Sequence, residues 1–154
     1  MRTETMARHL EKAELANCVN CACFNLRKVT RAVTQLYDDM LRPSELRVTQ
    51  FSLLVVGKMM GPVSVTRLAE MAVMDRTTLT RNLELLRKQG LIEVAPGEDR
   101  RTRIVTITPR GNAALAKAMP FWKKAQSQVV KALGQERWTA MQTDLGEMVA
   151  LARA

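Results

Sequence analysis

From about residue 13 to residue 41 an apolar side chain returns every three or four positions: Leu15, Val19, Ala22, Leu26, Val29, Val33, Leu36 and Met40. That is the period of an α-helix with one apolar face, and no glycine or proline interrupts it. The pattern predicts a single long amphipathic helix ending at Arg42-Pro43. A second helix is expected from about Thr49, with Phe51, Leu54, Val55 and Met59 inward and Gly61-Pro62 as its stop. Ser64 reads as the N-cap of a short third helix carrying Leu68, Ala69 and Met71. Asp75 reads as the N-cap of a fourth that runs to Gln89 and stops at Gly90.

On the fourth helix Leu79, Leu83 and Leu86 share one face. Thr77, Thr80, Arg81, Glu84 and Lys88 lie on the other, with Glu84 and Lys88 spaced to pair one turn apart. Two strands are expected next: LIEV, a polar and cationic loop over 95–102, then RIVTIT with alternating apolar and polar positions. Thr108-Pro109 supplies an N-cap with proline at the first helical position. The remaining chain reads as two helices divided near Leu133-Gly134, with a kink expected at Pro120.

Composition narrows the function. The chain has 154 residues, 24 Lys and Arg against 15 Asp and Glu, and a formal charge of +9, an excess that suits a polyanionic partner, nucleic acid ahead of acidic lipid. The charged N-terminus carries no signal peptide pattern, and no apolar run approaches the length of a membrane span. Three cysteines without an export signal imply free thiols and the cytoplasm. With His9 as the one histidine and no Gly-rich phosphate loop or nucleophile motif, an enzyme is not expected, and neither is a cofactor.

Three helices, the last tipped with polar groups, and then a basic hairpin is the order of a winged helix-turn-helix. The chain resembles the MarR family of transcriptional regulators in SVTRLAEMAVMDRTTLTRNLELLRKQGLIEV. The resemblance continues in EDRRTRIVTITPRG, with the spacings Asp99-x-Arg101 and Thr108-x-x-Gly111. The resemblance implies a mainly α fold with a small β-hairpin wing (α+β), one domain over 1–154. Its winged helix would span about 49–108, flanked by dimerisation helices over about 13–42 and 109–154.

A major groove admits one α-helix, whose N-terminal side chains read base edges. Thr77, Thr80 and Arg81, flanked by Arg76 and Thr78, are the expected readers. Glu84 would repel phosphate, so only the first two turns are expected to enter the groove. Ser64, Thr66 and Arg67 open the preceding helix, where free backbone N–H groups suit a phosphate. Asn82 lies nearer the leucine face and could hold the neighbouring helix. Arg100, Arg101 and Arg103 would reach a minor groove or its phosphates. The resemblance assigns the tip contact to Arg101 and to Asp99 the orientation of the arginine side chains; a plain surface ion pair is the alternative for Asp99.

One winged helix covers few bases, so a homodimer on a pseudo-palindromic operator is expected, its recognition helices about 34–36 Å apart. Leu15, Val19, Phe121, Trp122, Val129, Val130, Leu133, Trp138, Met141, Leu145 and Met148 supply spare apolar surface for it. Cys18, Cys21 and Cys23 are read as sharing the first helix, where three thiols so spaced cannot converge on a metal ion without unwinding it. Cys23 has Arg27 one turn on. Cys23-Phe24 followed by Tyr37 resembles the organic-hydroperoxide-sensing branch of the family, although that branch carries a second tyrosine where this chain has Arg27. A small buried hydrophobe is the alternative for Cys23. The family also binds small aromatic or phenolic ligands; Arg27, Arg31 and Tyr37 are the expected anchors, and Met59, Met60, Met71 and Met74 an adaptable wall.

Overall fold

Asn20 and Cys21 divide the first predicted helix in two. In the computed structural model, which describes residues 11–153, α1 spans Lys12–Val19 and α2 spans Ala22–Leu41. The Asn25 side-chain amide, six residues downstream, donates to the carbonyls of Val19 (2.8 Å) and Cys21 (3.1 Å), satisfying groups that a continuous helix would pair internally. The apolar period runs through the break unchanged, which is why periodicity alone does not reveal it. Cys18 therefore lies on α1, Cys21 in the break and Cys23 on α2, and all three are exposed.

The chain divides into two units, one ending at Gln35 and the other beginning at Leu36, inside α2. Among its described residues the first unit buries no side chain; Leu15, Val19, Phe24 and Val29 are all exposed.

In the second unit a 3₁₀ turn, Arg42–Ser44, leads to α3 (Val48–Met60), which Gly61 ends. Then come β1 (Val63–Ser64), α4 (Val65–Ala72), α5 (Arg76–Lys88), β2 (Ile92–Pro96), β3 (Arg103–Ile107), α6 (Pro109–Leu133) and α7 (Gln135–Leu151). The antiparallel sheet has the order β1-β3-β2, with Ile92 opposite Ile107, Pro96 opposite Arg103, and Val63 opposite Val105. Two residues carry no detectable alternation, so β1 leaves no trace in the sequence pattern. Strand β2 extends through Ala95 and Pro96, which were expected in the loop. Proline is tolerated there because β2 is an edge strand. Helix α6 is continuous through Pro120.

Leu41, Leu54, Leu68, Leu79, Leu86 and Val105 are fully buried at the centre of this unit. Burial of Leu79, Leu83 and Leu86 ties α5 to the core and contributes roughly 5–9 kcal/mol before conformational entropy is subtracted. Trp122 and Phe121 are not spare surface. Trp122 stacks on Phe51 with ring centroids 5.9 Å apart, and both residues pack against this core.

The start of α6 is fixed by close backbone approach. The Thr108 hydroxyl donates to the Gly90 carbonyl (2.7 Å) and accepts from the Gly111 N–H (3.0 Å). A Cβ on Gly111 would fall 2.1 Å from the Leu91 carbonyl oxygen, so only glycine fits.

Candidate nucleic-acid interface

Two N-caps and a strained turn set the helix-turn-helix. The Ser64 hydroxyl accepts from the Arg67 N–H (3.1 Å) and opens α4. Arg67 itself pairs with Glu70 (3.0 Å), which leaves its guanidinium partly engaged. At the other end of α4, Val73 adopts φ 52° and ψ 42°, the left-handed region, where a β-branched residue is unusual. Two residues later the Asp75 carboxylate accepts from the Thr78 N–H (2.9 Å) and opens α5. The Thr78 hydroxyl, and then its N–H, hold the Asp75 carboxyl below the usual carboxylate range.

Arg76, Thr77, Thr78, Thr80 and Arg81 all stand exposed on the first two turns of α5. The Thr80 hydroxyl donates to the Arg76 carbonyl (2.7 Å), so its proton is committed and its lone pairs and methyl face outward. In that state it is suited to accept from an adenine or cytosine amino group or to touch a thymine methyl. Asn82 donates to Thr78 of its own helix (2.9 Å) and does not brace a neighbouring one. Glu84 pairs with Arg87, not Lys88, through two bonds of 2.8 and 2.9 Å. The pairing with Arg87 lowers the Glu84 pKa, and Glu84 raises that of Arg87. The acidic charge expected to repel phosphate is thus locally offset.

The wing tip is a hydrogen-bonded turn. The Gly97 N–H donates to the Thr102 carbonyl and the Thr102 N–H to the Asp99 carbonyl, both at 2.8 Å. The Asp99 carboxylate accepts from the Arg101 N–H (3.0 Å). Asp99 therefore shapes the tip through the backbone, not through an arginine side chain. Arg100, Arg101 and Arg103 are exposed.

Helix and wing meet at a cleft of about 290 Å³. Thr66 of α4, Arg76 and Thr80 of α5, and Arg101 and Arg103 of the wing line it together with Glu84 and Arg87. Four guanidinium groups against one carboxylate, itself paired, make a site for polyanion oxygens. Arg87 escaped the sequence reading because its position follows the leucine face. Its i,i+3 spacing from Glu84 was the signal. Ser64, Arg67, Thr77, Thr78, Arg81 and Arg100 do not line the cleft.

The expected effector residues behave differently. Cys23, Arg27 and Arg31 are exposed on α2. Tyr37 is buried; its hydroxyl donates to Gln126 of α6 (2.5 Å), and burial pushes its pKa up. Of the expected methionine wall, Met59 (83%), Met60 (36%) and Met71 (50%) are exposed, whereas Met74 packs against the core. His9 lies outside the described residues. Among the described residues no three His, Cys, Asp or Glu side chains are placed to hold a metal ion, and no helix is long and apolar enough to cross a membrane.

Comparison with known proteins places this architecture. The model of the MarR family matches residues 44–102. The transcriptional regulator MosR of M. tuberculosis, solved in complex with DNA, is 39% identical; the match covers 86% of this chain and 96% of that one, with a TM-score of 0.80. A mutant MarR from E. coli complexed with operator DNA is 19% identical over 85% of this chain and 96% of its own, with a TM-score of 0.76, a likeness of fold. An uncharacterized HTH-type transcriptional regulator of Bacillus cereus is 30% identical over 95 residues, 62% of this chain and 63% of the relative's length. The chain thus spans somewhat less than two thirds of that curated relative.

Proposed function

The chain belongs to the MarR family of transcriptional regulators, and on that premise we propose that it is a sequence-specific DNA-binding protein and not an enzyme. It acts in the cytoplasm as a homodimeric repressor on a pseudo-palindromic operator. The observation that carries this reading is the cleft in which Arg76 and Thr80 of the reading helix face Arg101 and Arg103 of the wing. In that reading the first two turns of α5 enter the major groove, Thr77, Thr80 and Arg81 contact base edges, and Thr66, Arg67 and Arg76 hold phosphates. The 39% identity to MosR, whose structure contains DNA, supports the same partner. Exposed apolar residues on α1 and α2 (Leu15, Val19, Val29) and on α7 (Leu145, Met148, Val149) support a second copy as the cover for these helices.

The test is selection from a random duplex library, then titration of the selected and a scrambled duplex at several salt concentrations. Steep salt dependence with a preference of roughly a thousand-fold for the selected duplex is expected. Equal affinity for both would end the claim of sequence specificity.

Exposure of Cys23 favours thiol oxidation as the release signal. Its thiolate sulfur would attack the peroxide O–O bond of an organic hydroperoxide, giving the sulfenate while the peroxide is reduced to the alcohol. DNA binding lost on stoichiometric hydroperoxide and retained by Cys23→Ser is the expected result. Binding that survives oxidation would sink the redox reading and turn attention to a small aromatic or phenolic ligand at Arg27 and Arg31.

A further inference from the structure

The turn between α4 and α5 carries its strain at Val73 and has a second tether from far along the chain. Val73 donates its N–H to the Ala69 and Glu70 carbonyls, and Met74 donates to Ala69 (3.0 Å), closing the last turn of α4. Glycine or asparagine normally fills such a left-handed cap, because a Cβ there crowds the backbone. Val73 gains little from packing in exchange, since its side chain is 56% exposed.

The second tether is Arg153, just beyond the end of α7. Its guanidinium donates to the Glu70 carbonyl, a group that already accepts from Val73. A cation at the C-terminal end of a helix also sits favourably in the helix dipole. Between Arg153 and the start of α5 lies a hollow of about 450 Å³, lined by Thr66, Ala69, Glu70, Val73, Met74, Arg76 and Arg153. Thr66 and Arg76 line both this hollow and the cationic cleft.

We propose that Arg153 is a positioning residue for DNA reading: it clamps the Glu70 carbonyl near the end of α4, helps hold Val73 in its left-handed conformation and so fixes the angle at which α5 is presented. The inference rests on the DNA-binding reading for its functional consequence, but the clamp itself is a property of the free protein. The four hydrogen bonds at the end of α4, from three donors, act together. Without the guanidinium, only the two backbone N–H groups oppose the strain at Val73. Displacement of the end of α7 would then reach the reading helix without any contact to the DNA.

The experiment compares wild type with Arg153→Ala, Arg153→Lys, Val73→Gly and the Val73→Gly/Arg153→Ala double variant. Backbone amide NMR shifts are recorded in the free protein, and affinity for a library-selected duplex is measured across a salt series. Arg153→Ala should move the Val73 and Met74 amide resonances and weaken DNA binding by roughly three- to five-fold, with the salt slope unchanged. Lysine should restore much of both effects. In the Val73→Gly background, where the left-handed turn needs no support, removing Arg153 should change affinity little.

Unmoved turn amides would overturn the clamp. So would an Arg153→Ala effect of equal size with valine or glycine at position 73. A salt slope that falls by about one unit would make Arg153 a phosphate contact and overturn the positioning claim. If wild type shows no duplex preference, the DNA reading fails by itself, and the turn amides alone then decide whether Arg153 holds the turn.

Discussion

The reading head and the terminal helices of this chain solve the burial problem in opposite ways. From α3 to the start of α6 the leucines other than Leu85, with Phe51 and Val105, are sealed within one chain, and short N-caps at Ser64, Asp75 and Thr108 open α4, α5 and α6. Helices α1 and α7 bury no residue at all, although apolar side chains recur along both. The head carries its own core; the terminal helices display the apolar surface that a partner would cover. The contrast suggests that folding of the head and assembly of the protein can be broken separately.

The strongest break should come at Gly111. Gly111→Ala drives a methyl into the Leu91 carbonyl oxygen and is expected to cost about 3 kcal/mol or more, at the upper end of overpacking effects. Thermal denaturation checks it, and an unchanged midpoint would mean that α6 can start elsewhere. Next is the double variant Leu145→Glu/Met148→Glu. These side chains are 38% and 43% exposed, so the head should stay folded while sedimentation shows monomers and operator affinity drops by roughly a hundred-fold. A dimer that persists would place the interface away from α7.

A smaller effect is expected in the wing. Arg101→Ala should weaken binding to most duplexes by several-fold and lower the salt slope by about one, without altering which duplex is preferred. Unchanged affinity would remove the wing from the interface. The smallest effect concerns pH. The Asp75 carboxyl titrates below its unfolded value, so the stability it lends α5 is present above about pH 4 and is lost as pH falls through the lowered folded value. Amide exchange at Thr78 should speed up across that acid range, relative to Leu86, and Asp75→Asn should flatten the difference. Equal acid dependence in both proteins would show that the cap does not depend on charge.

Much of the head is legible in the sequence because its signals are local. A cap needs its side chain and an N–H three residues on, and Ser64, Asp75 and Thr108 sit at just such positions. The leucine face of α5 likewise needs only helical periodicity. What stayed hidden depends on contacts that periodicity does not encode. The break at Asn20–Cys21 is stabilised by an asparagine further along an otherwise perfect apolar repeat. Strand β1 exists because β3 lies beside it. Trp122 reads as spare surface until Phe51, 71 positions earlier, is brought against it. Glu84 had Arg81, Arg87 and Lys88 within reach on its own helix, and side-chain geometry chose Arg87. The candidate site follows the same division: its members, Arg87 apart, can be named from the sequence, but their convergence on one cleft is a product of the hairpin folding back over α5.

Pro96 bears on how the free margin of the sheet avoids pairing with other strands. The Gly97 N–H points across the tip to the Thr102 carbonyl, so alternation puts the nitrogen of Pro96 on the outer side of the wing, where it has no hydrogen to give. A bare sheet margin is a template on which strands from other molecules can stack into fibrils. Here that margin is short, lacks a donor near its tip, and bears the exposed carboxylate of Glu93. The wing can therefore project into solvent as a free ribbon with little risk of seeding aggregation between neighbouring molecules.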